Sequence, residues 1–214
     1  INLKVKQMSY LILIRHGQST WNLENRFTGW VDVDLTENGK LEAKKAGDLI
    51  KQSNIHINYF YSSYQLRANH TLKIIQKSLE NNKDFIRAWQ LNERHYGTLT
   101  GLNKVEVSEK LGDEKVYLFR RSWDLRPDPL DKENQFHPLN INTYNDIPNK
   151  LIPDTESLKD TYERVTKYFN SEIADKIKNG NILISAHGNS IRALCKYLLK
   201  INKTQISKLE IPTG

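Results

Sequence analysis

Two short apolar runs, each ending in a histidine–glycine pair, constrain this chain more than any other feature. Tyr10-Leu-Ile-Leu-Ile14 leads into Arg15-His16-Gly17, and Asn181-Ile-Leu-Ile-Ser-Ala186 leads into His187-Gly188-Asn189. Runs that are apolar at successive rather than alternate positions read as strands buried on both faces, as in a parallel sheet covered by helices. Further strands are expected at Ile57–Ser62 and Phe85–Trp89. Helical spacing predicts helices over about 36–52, opened by Thr36, and about 64–80, with Ala68, Leu72, Ile75 and Leu79 on one face. A longer one is predicted from about 155 to 178, with Thr155 as its N-cap and a stripe of Leu158, Tyr162, Val165, Phe169, Ile173 and Ile177. The last runs from Asn189 to about Lys200. Strands alternating with helices give an α/β fold: three layers, α/β/α, around a mostly parallel central sheet.

A chain of 214 residues fits one domain, expected here to span residues 1–214. Residues 124–154 carry Pro127, Pro129, Pro138, Pro148 and Pro153 among polar residues with no sustained period. They read as an irregular insertion, of the kind that covers a site or moves. The single methionine is Met8, so residues 1–7 are expected to be a non-native extension. No window approaches the roughly 18 consecutive apolar residues of a membrane-spanning helix, and the N-terminus has no secretory pattern. The lone Cys195 cannot form an internal disulfide and reads as a small apolar filler, which suits a reducing, cytoplasmic setting. The net charge of +7 favours an anionic partner or simply solvates helix faces. No Lys/Arg run interleaved with aromatics appears, which argues against nucleic acid.

In open parallel sheets ligands bind beyond the carboxyl ends of the strands, so the two histidine turns are expected to converge on one site. Gly17 and Gly188 would allow close backbone approach, and the N–H groups opening the helix after His187 favour a phosphate. Arg15 and Arg67 place guanidinium groups near such a phosphate, as phosphoryl transfer requires. Glu93 could exchange a hydroxyl proton there, although a loop glutamate is more often solvated or paired. His56, His70 and His137 have no comparable context. No metal-ligand spacing, dinucleotide fingerprint or P-loop occurs.

The stretch Leu13-Ile-Arg-His-Gly-Gln-Ser-Thr-Trp-Asn22 resembles the histidine phosphatase superfamily, and Glu24-Asn-Arg-Phe-Thr-Gly-Trp-Val-Asp-Val-Asp-Leu35 resembles its cofactor-dependent phosphoglycerate mutase branch. Leu91-Asn-Glu-Arg-His-Tyr-Gly97, Thr100-Gly-Leu-Asn-Lys104, Arg120-Arg121, Pro153-Asp-Thr-Glu-Ser-Leu158, Ala186-His-Gly-Asn-Ser190 and Ile211-Pro-Thr-Gly214 extend the likeness in order. The resemblance implies a phosphoglycerate mutase-like fold and interconversion of 2- and 3-phosphoglycerate, a step of glycolysis and gluconeogenesis. Its primer is 2,3-bisphosphoglycerate, with no metal. By the same match His16 accepts the phosphoryl group, His187 stabilises it, Arg15 and Arg67 clamp it, and Glu93 is the acid/base. Ser19, Asn22, Thr28, Gly29, Gly188 and Asn189 would line the phosphate pocket, while Tyr96, Lys104, Arg120 and Arg121 would hold the remaining charges of the substrate. Arg94 and His95 carry less weight as contacts. A homodimer is one assembly the family adopts.

The scheme needs neutral His16 as nucleophile and His187 as a charged or donating partner. Where Gln18 stands many relatives have glutamate, with little expected consequence. The family continues past the position of Gly214 with a strand and a tail that helps exclude water; a tail of this kind is expected, and without it hydrolysis should gain on transfer. Two rivals remain: a phosphatase that lets water discharge His16, and a non-catalytic module that keeps the fold.

Overall fold

The structure is a computed structural model, and it describes residues 9–214; the reading of Met8 as the start, with 1–7 as an extension, falls outside the described residues. In chain order the elements are β1 (Leu11–Arg15), α1 (Thr20–Leu23), α2 (Glu37–Gln52), β2 (Ile57–Ser62), α3 (Leu66–Ser78), β3 (Ile86–Arg87), α4 (Lys104–Leu111), α5 (Asp113–Arg121), α6 (Leu158–Tyr168), β4 (Asn181–Ala186), α7 (Gly188–Leu198) and α8 (Lys203–Ile206). The four strands form a parallel sheet in the order β1-β4-β2-β3.

The alternation of side chains along β4 sorts two apolar layers. Ile182, Ile184 and Ala186 meet Val165 and Phe169, on and just after α6, and Ile191 and Leu194 of α7 on one face. Leu183 points the other way, into Phe60, Ala46 and Ile50 of α2, and Leu72 and Ile75 of α3. The sheet is thus covered on both faces, as the uninterrupted apolar runs predict. Only β4 is buried nearly throughout; β1, at the edge of the sheet among the described residues, is half-buried at every position. Cys195 packs at the margin of the first layer.

Local differences from the sequence reading have local causes. The helix predicted from 155 starts later, because Ser157 and Asp160 form a reciprocal capping box, while Thr155 Oγ1 donates to Pro127 O at 2.7 Å. It also fails to run regularly to 178: Phe169–Ile173 widen into a π turn and Ala174–Asn179 tighten into 3-10 geometry. The strand predicted at 85–89 pairs only over Ile86–Arg87, since Trp89–Leu91 coil into a 3-10 turn. Helices α4 and α5, unforeseen, pack with Phe27 and Leu99 in a small cluster of their own through Val107 and Val116. Residues 124–154 contain only turns and three short 3-10 segments. They are anchored by Tyr144, Ile147 and Ile152 around Trp30, and Tyr144 OH donates to Trp30 O.

Candidate active site

Strand adjacency builds the site. Arg15 of β1 is in register with Ala186 of β4, and the next N–H, that of His16, still donates to Ala186 O at 3.0 Å. His16 and His187 therefore leave the sheet side by side, with ring centroids 5.0 Å apart and planes inclined at 58°. Gly17 follows because helix α2 presses on the turn: a Cβ there would lie 2.1 Å from Gly39 O. Its N–H donates to Thr71 Oγ1 at 3.1 Å.

The tautomer of His16 follows from its partner. Nδ1 is 2.7 Å from Gly17 O, and a carbonyl only accepts, so Nδ1 carries the proton and Nε2 keeps its lone pair. Burial, then the Arg67 and Arg15 charges, hold the ring well below the ordinary histidine pKa; the Gly17 carbonyl opposes them. His16 is thus a neutral imidazole with a free nucleophilic nitrogen. His187 is also held well below its ordinary value, by burial first and then by Arg67, His16 and Arg15. Its Nε2 lies 2.8 Å from Ser63 Oγ, just past the end of β2, and its backbone N–H donates to Ser190 Oγ at 3.0 Å in the first turn of α7.

Arg67, in the first turn of α3, is fully buried and cannot swing. Its Nη1 donates to Val31 O and its Nη2 to Gly29 O, both at 2.9 Å, and Gly29 reaches this position with φ +54°, a conformation glycine adopts freely. Arg15 donates through Nη1 to Ile211 O at 2.6 Å, while its buried Nε has no hydrogen-bond partner among the described residues. Glu93 lies in the irregular run between two 3-10 turns; its Oε1 accepts from Arg94 N at 2.7 Å and from Asn189 N at 3.2 Å. A Cβ on Gly188 would sit 3.6 Å from Arg15 Nε and 3.8 Å from Glu93 Oε2, so the arginine and the carboxylate flank this residue.

These groups open onto two adjoining cavities. One, of about 90 Å³, is lined by His16, Asn22, Thr28, Gly29, Arg67 and Lys104 together with Arg26 and Phe27. The other, of about 150 Å³, is lined by Arg121, Gly188, Asn189, Arg192, Glu210 and Ile211. Arg15, Glu93, Tyr96 and Arg120 line both. The first presents five cationic side chains against one carboxylate, and burial with Arg120 and Arg15 nearby lowers Lys104 to about 8. In the second Arg121 is paired with Glu210 at 2.6 Å, and burial with Arg121 lowers Arg192 to about 10. Two joined basic cavities, one beside a nucleophilic imidazole, suit a small molecule with two anionic groups.

Of the residues given site roles in the sequence, Ser19 and His187 line neither cavity: His187 stands against the His16 ring, and the Ser19 hydroxyl accepts from Asn22 N at 3.3 Å and caps α1. His137 pairs with Asp154 at 3.0 Å, and His95 accepts from Gly97 N at 2.9 Å, both away from the cavities. The sequence reading missed Arg26, Ser63 and Arg192. Arg192 stands one helical turn beyond Asn189 and donates to its Oδ1 at 2.6 Å, a spacing that the Asn189 position could have suggested. Among the described residues no group of three or more His, Cys, Asp or Glu side chains could hold a metal ion, and no helix is long and apolar enough to cross a membrane.

Parallel sheet, paired histidines and guanidinium clamp define a phosphoryl-handling protein of the histidine type. The sequence profile of the histidine phosphatase superfamily (branch 1) matches residues 11–137 and 130–214. A 2,3-bisphosphoglycerate-dependent phosphoglycerate mutase of Pelagibacter ubique is 65% identical over 208 residues, 97% of this chain and 87% of that protein. One from Hydrogenobaculum sp. is 47% identical over 209 residues, 97% of this chain and 85% of that protein. The chain belongs to the histidine phosphatase superfamily and, within it, to the family of these mutases. Solved structures share the fold at low identity: a mycobacterial glucosyl-3-phosphoglycerate phosphatase has TM-score 0.69 at 21% identity, covering 95% of this chain and 88% of its own. A phosphoserine phosphatase mutant from Entamoeba histolytica has TM-score 0.67 at 22% identity, covering 96% and 87%.

Proposed function

We propose that the chain interconverts 2- and 3-phosphoglycerate through a phosphohistidine at His16. The observation that carries this reading is the bond from His16 Nδ1 to Gly17 O, which leaves a bare Nε2 beside His187 in a cavity of five cations. The family membership selects the substrate. When bound, 2,3-bisphosphoglycerate supplies the phosphoryl group that primes the enzyme. The residues fit such a ligand: the buried Arg15 Nε has hydrogen-bonding capacity to spare, and the two cavities share Arg15 and Arg120.

In this scheme His16 Nε2 bonds to phosphorus as the donor's P–O ester bond breaks, and the Nε2–P bond breaks in turn as phosphorus bonds to a substrate hydroxyl, whose proton Glu93 takes. In the reverse direction Glu93 returns that proton to the departing oxygen. Arg15, Arg67 and the donors of Asn22, Gly188 and Asn189 hold the phosphoryl oxygens, with Thr28 and Gly29 forming the wall. Tyr96, Lys104, Arg120 and Arg121 hold the substrate's other charges, and Arg121 would exchange Glu210 for them. An anion on the clamp would offset the arginine charges and raise the pKa of His187, favouring the form in which both ring nitrogens donate. We further propose a single domain, a cytoplasmic location and a homodimer; light scattering tests the last.

Incubation with 3-phosphoglycerate and catalytic 2,3-bisphosphoglycerate tests the reaction. The expected product is 2-phosphoglycerate, with an acid-labile, base-stable phosphate on His16 that is absent from His16→Ala. Inorganic phosphate without 2-phosphoglycerate would make the protein a phosphatase.

A further inference from the structure

Glu93 sits in a run with no helical or strand hydrogen bonds of its own, so something else must hold it. The anchor is Arg164 on α6. Its Nε donates to Glu156 Oε1 at 2.6 Å and its Nη2 to Glu156 Oε2 at 2.9 Å. Its Nη1 donates to Gln90 O at 2.7 Å and Asn92 O at 3.0 Å, and its Nη2 to Glu93 O at 2.9 Å. All five guanidinium hydrogens are therefore committed, two to a carboxylate and three to the backbone that carries Glu93. Glu156 closes the frame: its Oε2 accepts from His95 N at 2.9 Å and its own N–H donates to His95 O at 3.0 Å. The pair is buried, with side-chain exposures of 10% and 4%.

We infer that Arg164, braced by Glu156, is a positioning residue that sets the depth and angle of Glu93 for proton exchange. The inference rests on the role proposed above for Glu93. The backbone of Glu93 is fixed from α6 by Arg164 and from the N-cap of α3 by Gln65, whose Oε1 accepts from Glu93 N at 3.0 Å; the carboxylate is fixed from α7 by Asn189 N. Three elements thus converge on one residue, two on its backbone and one on its carboxylate. Lysine cannot substitute, since a single ammonium has three donors diverging from one point and cannot span a carboxylate and three carbonyls. A misplacement of about 1 Å at a reacting group costs on the order of 100-fold in rate.

The test compares two phosphoryl donors in Arg164→Lys and Glu156→Gln. Labelling of His16 by 2,3-bisphosphoglycerate expels an alkoxide that needs a proton; labelling by 2,4-dinitrophenyl phosphate expels a phenolate that leaves without one. The expected result for Arg164→Lys is a fall of about 30- to 100-fold with the first donor, and less than about fivefold with the second. Glu156→Gln keeps the shape of the brace and should show a smaller loss with the same donor bias. For both, KM for 3-phosphoglycerate should stay within about threefold of wild type while kcat falls. Equal losses with both donors, in variants shown by thermal unfolding to be folded, would reduce the pair to a structural role and overturn the inference. A wild-type protein labelled by dinitrophenyl phosphate but not by bisphosphoglycerate would instead remove the mutase reading on which it rests.

Discussion

His16 and His187 come from opposite ends of the chain, yet their rings lie 5.0 Å apart and both are held neutral by burial and by the same two arginines. Buried His95, lowered to about 3 chiefly by burial, makes a third such group. In the unfolded chain each histidine takes up a proton below about pH 6.5. The unfolded state then binds more protons than the folded one, so stability is full above that pH and falls as the pH drops beneath it. Each such histidine contributes up to about 1.4 kcal/mol per pH unit. Urea midpoints should decline from pH 7.5 to 5, and His95→Gln should flatten the decline. An unaltered slope in that variant would count against the assignment.

Lys104 gives a second pH effect, of opposite sense. Lowered to about 8 by burial and by Arg120 and Arg15, it carries its charge below that pH and loses it above. The value of kcat/KM for phosphoglycerate should therefore fall as the pH rises through about 8. Lys104→Arg should move this limb beyond the measurable range, whereas a limb at the same pH in the variant would assign it elsewhere.

The carbonyls of Gly29 and Val31 hold the Arg67 guanidinium in a fixed orientation. Arg67→Lys keeps the charge and loses that fork, so kcat should fall by about 100-fold or more. Circular dichroism should show the variant folded. A loss under about threefold would mean that charge alone suffices.

The two histidine-turn glycines should differ sharply. At Gly17 a methyl group would meet backbone at 2.1 Å, and at Gly188 its nearest neighbours are side-chain atoms at 3.6 Å or more. Gly17→Ala should lower Tm by about 10 °C or prevent folding, and Gly188→Ala should melt within about 3 °C of wild type. Comparable melting of the two would refute the packing argument.

The parallel sheet was legible because β4 and its neighbours are apolar at successive positions, and the histidine turns because each closes such a run. Arg67 was legible as a cation near the strand end, but its two carbonyl partners come from a distant loop that no local pattern reveals. The brace on Glu93 was illegible for the same reason: Arg164 reads as an ordinary polar residue of α6, and only folding brings Gln90, Asn92 and Glu93 to it. The break at Phe169–Ile173 escaped because its apolar stripe keeps helical spacing through the π turn. The second cavity was legible only in part, since Arg121 was identified while its counter-charge Glu210 was not.

The place of β4 has a bearing on biosynthesis. It is hydrogen-bonded to β1 on one side and β2 on the other, though both are translated long before it. A ribosome that has released the first 180 residues has made neither of those pairings, and His16 still has no partner ring. The histidine pair must therefore assemble late and abruptly, when one six-residue strand slots between two waiting neighbours. A nascent chain of this design is exposed to chaperones and proteases until that moment.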